Sequence, residues 1–99
     1  MDIKIHSIHF DADKGLLDFV NNKVKKFVQL YDNIIEAEVF LRLDKDQSLE
    51  NKVTEIKLSI PGNDLFAKKR SKSFEESTDN VVDALKRQLK KTKEKQRGK

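Results

Sequence analysis

The sequence predicts a single α+β domain in the order βαβββα, with two helices packed on one face of a four-stranded sheet. Two observations support this class. Apolar residues recur every three or four positions in two segments and at every second position in others, which are the periods of helices and strands. A chain of 99 residues also buries only enough surface for one modest core. We therefore expect residues 1–99 to form one domain.

The first strand and the first helix occupy residues 3–33. Ile3, Ile5 and then Ile8 and Phe10 indicate a short strand, and Asp13 is a residue type that caps helices. The apolar stripe of the helix consists of Leu16, Leu17, Val20, Val24, Phe27, Val28 and Tyr31. We expect this helix to end near residues 32–33.

Three further strands follow, because the hydrophobic period changes to two after Ile34. Residues 35–43 alternate between apolar and mostly polar positions, as do residues 54–60, and the polar segment 45–51 separates them as a loop. Residues 61–64 read Pro-Gly-Asn-Asp, which is typical of a turn, and residues 65–70 form a short returning strand. The last two strands are therefore predicted to form an antiparallel hairpin.

The second helix begins after Ser73, which with Glu76 three residues later has the spacing of a capping box. Its predicted stripe consists of Phe74, Thr78, Val81, Val82, Leu85 and Leu89. No apolar residue follows Leu89, although helix-favouring Lys, Glu and Gln continue. We expect the last turns to extend past the core and residues 94–99 to be a frayed basic tail.

Several classes of function are disfavoured by composition. The chain has no apolar run long enough for a membrane span, no signal-peptide pattern and no cysteine, so we expect a cytoplasmic protein without disulfides. His6 and His9 lie three residues apart on a strand, which directs them to opposite faces and disfavours a metal site. Nucleophile and phosphate-loop motifs are also missing from the sequence. We expect no enzymatic activity, no cofactor and no small-molecule substrate.

The distribution of charge points to a polyanionic partner. The net charge is only +4, yet residues 84–99 contain a single acid, Glu94, among many lysines and arginines. Without zinc-finger spacing or an aromatic RNA-binding strand motif, contact with RNA backbone and shape is expected rather than base reading. The candidate RNA-binding residues are Lys23, Lys25, Lys26, Lys68, Lys69, Arg70, Lys86, Arg87, Lys90, Lys91, Lys93 and Lys95.

Three segments resemble the ribosome hibernation-promoting factor and ribosome-associated inhibitor family, in its short form. They are Lys23-Val24-Lys25-Lys26-Phe27 with Tyr31-Asp32, then Pro61-Gly62, and the run from Val81 to Lys91 with Lys93 and Lys95. The run, with its Asp-Ala-Leu-Lys-Arg-Gln-Leu core, is the most specific. Two departures are Ser73-Phe74, where the family often has an acidic-aromatic pair, and an unusually basic fourth strand.

The resemblance implies binding to ribosomal RNA in the cleft of the small ribosomal subunit, across the positions of messenger and transfer RNA. Separately, we expect the free protein to be a monomer. The resemblance also implies that eight of the twelve candidates face RNA: Lys23, Lys26, Lys86, Arg87, Lys90, Lys91, Lys93 and Lys95. A general double-stranded-RNA-binding module stays open as an alternative, because the predicted order contains the αβββα of that fold. A chaperone-like partner for an acidic protein is a second alternative.

Overall fold

The computed structural model describes residues 1–45 and 49–97 and has the predicted βαβββα order. A 3-10 turn, Lys26–Gln29, follows the first helix directly. The elements are β1 (Asp2–Ile8), α1 (Lys14–Lys25), β2 (Glu36–Leu43), β3 (Lys52–Ile60), β4 (Asn63–Ser71) and α2 (Phe74–Arg97). The predicted fold class is therefore confirmed.

The four strands form one sheet in chain order, with β1 parallel to β2 and the two other pairs antiparallel. The alternation read from the sequence decides which side chains face the helices. On β2 and β3 the positions that face the helices follow the period of two, and they supply Ala37, Val39, Leu41, Thr54, Ile56, Leu58 and Ile60; Val53 is buried as well, but it lies outside this core cluster. These residues form the floor of a core that both helices cover.

Helix α1 is shorter than the apolar stripe predicts. Asp13 caps it, since its carboxylate accepts a hydrogen bond from the Leu16 backbone N–H at 2.8 Å. The α-helix ends at Lys25 and tightens into the 3-10 turn, so the prediction of a helix to residues 32–33 was wrong. A 3-10 turn has three residues per turn, which rotates Val28 out of the stripe and leaves it 39% exposed.

Helix α2 is anchored on the sheet by its first four turns. The Ser73 hydroxyl accepts from the Glu76 backbone N–H at 3.1 Å, as the capping-box spacing predicts. Thr54 on β3 hydrogen-bonds Ser77 at 2.6 Å and Thr78 at 3.3 Å, so the buried hydroxyls of this junction satisfy one another. Leu85 and Leu89 are buried, whereas residues 90–95 are exposed except for half-buried Thr92, and the helix continues to Arg97.

The opposite face of the sheet carries charged side chains that largely neutralise each other. Ion pairs join Lys4 with Glu36, Arg42 with Glu55, and Lys57 with Asp64. The hydrogen bond and the charge of Glu36 raise the pKa of Lys4 above its ordinary value. This open face therefore presents both signs of charge side by side.

No helix in the described ranges is long and apolar enough to cross a membrane. The expectation of a frayed end at residues 94–99 stays a prediction: α2 continues to Arg97, and residues 98–99 lie outside the described part of the chain.

Candidate nucleic-acid interface

Helix α2 separates its charges along its length. Residues 74–83 contain four acids and no base, whereas residues 84–95 contain six bases and one acid. This order matches the helix macrodipole, whose positive end favours acids and whose negative end favours cations. The dipole acts only within the first and last turns, so it favours Glu75 and Glu76 at one end and Lys95 at the other, while the repulsion among the remaining cations is left for a bound anion to relieve.

The cations of this basic half form no ion pair with any acid in residues 1–45 and 49–97. Within the described residues, no ion pair involves Lys86, Arg87, Lys90, Lys91, Lys93 or Lys95. Five of the six are exposed and Lys86 is half-buried. Unpaired, exposed cations can exchange their counterions for phosphates without first breaking an ion pair within the protein. We call these six residues the α2 cation set.

A groove runs between the basic half of α2 and the segment that follows α1. Gln29 and Leu30 form one side of it, and the other side is lined by Lys86, Arg87, Lys90, Lys93 and Glu94. Most of its lining surface is apolar, although four of its lining residues are cations, because the long side chains of lysine and arginine have aliphatic stems. We call it the Leu30 groove.

The lysines of α1 are placed unequally. The Lys23 ammonium pairs with Asp79 of α2 at 3.1 Å and lies 5.4 Å from the centre of the Phe19 ring, so it is partly engaged within the protein. Lys25 follows Lys23 by two positions, about 200° around the helix, and projects away from α2. Lys26 is exposed at the start of the 3-10 turn. The structure thus brings Lys23 to α2 and separates Lys25 from it.

The three candidates on β4 divide between the two faces of the sheet, because strand residues alternate. Lys69 lies beside Arg87 in a shallow depression next to α2. Lys68 and Arg70 point to the open face, where Lys68 lies 3.6 Å from Glu55 and Arg70 pairs with Asp44. Only Lys69 therefore adjoins the α2 cation set, and RNA contact by Lys68 or Arg70 stays a prediction without support from position.

The sequence reasoning missed Gln29 and Leu30. Neither belongs to a basic pattern, and Leu30 lies between Val28 and Tyr31 without being part of the predicted apolar stripe, so nothing local singles it out. The sequence does contain a leucine next to the predicted end of the first helix. It indicates a binding site only once α2 is known to lie beside this segment.

Comparison with known proteins places the chain in a family. The family model described as Sigma 54 modulation protein / S30EA ribosomal protein matches residues 3–97. A protein named ribosome hibernation promoting factor from Pseudomonas putida is 33% identical over 96 residues, which cover 97% of this chain and 90% of that protein. A protein of the same name from Azotobacter vinelandii is 29% identical, over 97% of this chain and 86% of that protein.

Two solved structures share the fold. A ribosomal subunit interface protein from Coxiella burnetii superimposes with a TM-score of 0.84 at 22% identity, covering 94% of this chain and 98% of that one. The N-terminal domain of Protein Y from Thermus thermophilus superimposes with a TM-score of 0.79 at 22% identity, covering 93% and 99%, respectively. With the family match over nearly the whole chain, this protein belongs to the Sigma 54 modulation protein / S30EA ribosomal protein family.

Proposed function

We propose that this protein is a non-enzymatic ribosome hibernation factor that binds the small ribosomal subunit in the cytoplasm and occupies the positions of messenger and transfer RNA. Its ligand is ribosomal RNA, contacted mainly by the α2 cation set. The single observation that carries the proposal is that these six cations lie on one helix without an ion pair to any described residue, in a chain whose relatives bear the name ribosome hibernation promoting factor.

The pairing pattern supports the choice of surface. Cations of the open sheet face are already held by acids of the protein, so binding RNA there would require breaking those pairs. The α2 cation set carries no such penalty. Its location on a rod that extends past the core also suits insertion between two RNA walls, and the molecule is narrow, with extents of 48 × 24 × 18 Å.

A general double-stranded-RNA-binding module is the competing function. Strands β2, β3 and β4 form the antiparallel part that an αβββα module requires. This sheet contains in addition β1, which pairs parallel to β2. The two functions differ in their preferred ligand: a general binder holds any A-form duplex, whereas a ribosome factor prefers the assembled subunit.

Co-sedimentation at one fixed salt concentration separates these functions. We expect the protein to pellet with purified small subunits, to remain in the pellet when an equal mass of A-form duplex is added as a competitor, and to be displaced from subunits by messenger RNA together with transfer RNA. Equal binding to duplex and subunit would favour the general module. Binding to subunits that resists messenger and transfer RNA would contradict the proposed location.

A further inference from the structure

The Leu30 groove combines two properties that phosphate binding alone does not require. A surface that recognises only RNA backbone needs cations and polar donors, yet most of this groove's lining is apolar. Leu30 lines one side of the groove and remains 41% exposed. An exposed leucine surrounded by four cations fits a ligand that has a flat apolar part and a negatively charged group attached close to it.

We propose that the Leu30 groove binds one unpaired nucleotide, with its base packed on Leu30 and the lysine stems and its flanking phosphates paired with Lys86, Lys90 and Lys93. This inference rests on the proposed function in taking RNA as the ligand, and it adds that the RNA is single-stranded at this point. A paired base is stacked inside its helix, so its face is not available to pack on Leu30.

The size and spacing of the groove agree with a single nucleotide. Its volume of about 520 Å³ lies in the range of sites that take small ligands. Lys86, Lys90 and Lys93 succeed one another at intervals of four and three positions, so they lie along one face of α2 and can follow the phosphates of a single strand past the base.

Two polar groups of the groove are available to the edge of the base. Within the described residues, neither the Gln29 amide nor the Glu94 carboxylate forms a hydrogen bond or ion pair. An amide offers both a donor and an acceptor, and a carboxylate accepts from exocyclic amino groups. These two side chains would favour some bases over others, whereas Leu30 would accept any base.

The experiment measures fluorescence anisotropy of the whole protein with three labelled RNAs at about 50 mM salt. They are hexauridylate, a hexamer of abasic ribose phosphate with the same charge, and an A-form duplex. We expect hexauridylate to bind about tenfold more tightly than the abasic hexamer, because only the former buries apolar surface on Leu30. Leu30→Gln should abolish that difference while leaving the abasic hexamer's affinity unchanged.

Leu49→Gln is the matched control, since Leu49 is also an exposed leucine, at 81%, outside the groove. It should preserve the difference. The nucleotide site would be overturned if the native protein bound the two hexamers with equal affinity or bound neither. It would also be overturned if a leucine-containing acidic peptide of equal charge bound more tightly than hexauridylate in a Leu30-dependent way. Co-sedimentation with small subunits is measured separately, so loss of the nucleotide site alone leaves the proposed function standing.

Discussion

The salt dependence of RNA binding is the property that the pairing pattern determines most directly. Replacing Lys86, Lys90 and Lys93 by glutamine removes three unpaired cations from the Leu30 groove and lowers the net charge from +4 to +1. Each phosphate contact contributes about 0.7 to 0.9 to the slope of log affinity against log salt. With six contacts, raising salt from about 50 to 200 mM should weaken binding by roughly a thousandfold. With three contacts left, the same change should weaken it only about 20- to 40-fold.

The assay is a titration of protein into purified small subunits at several salt concentrations, read by filter binding. A matched variant with Lys4, Lys14 and Lys57 replaced by glutamine has the same net charge, but none of its changes lies in the groove. It should retain the steep native slope. If both triple variants lost the same share of the slope, net charge rather than the α2 cation set would explain the binding, and the reasoning would be refuted.

Three further outcomes follow from particular contacts. Asp79→Asn should free Lys23 and strengthen subunit binding, whereas Lys23→Gln should weaken subunit binding less than Lys90→Gln does. Filter binding of the three variants measures these affinities. An equal loss of affinity for the two lysine variants would contradict the expectation. Leu89→Ala should lower the free energy of unfolding by about 2 to 4 kcal/mol, because the Leu89 side chain is only 1% exposed. Urea denaturation measures this change. A change below about 1 kcal/mol would show that the helix is not anchored at Leu89. Ser73→Ala should cost about 1 kcal/mol through loss of the cap, with subunit affinity retained at temperatures where the variant is folded; unchanged stability would exclude the cap.

The order of the elements was predictable because burial on one side imposes a period that the sequence records. Strand β2 buries every second residue from Ala37 to Leu41, β3 does so from Thr54 to Ile60, and α2 buries the predicted stripe. The end of α1 was not predictable in this way. Val28 has the spacing of a stripe residue, but a change to 3-10 geometry, which apolar spacing does not report, decides its exposure.

The candidate site was predictable in its charge and not in its pairing. Clustering of lysines on α2 is visible in the sequence, whereas the engagement of Lys23 by Asp79 depends on how the two helices pack. Lys68 and Arg70 lie on the face of the sheet opposite to Lys69, because strand residues alternate. This separation could have been predicted from the sequence, but the basic segment was treated as one unit. The Leu30 groove joins residues about sixty positions apart, so only the packed structure reveals it.

Association of a charge-reversed helix with the small subunit tests the central claim most directly. Arg87→Glu with Lys90→Glu changes two exposed, unpaired residues of α2, so the fold should persist and circular dichroism should stay native. The account predicts that this variant no longer co-sediments with small subunits under conditions where the native protein does. Undiminished co-sedimentation of the folded variant would show that the α2 cation set is not the contact.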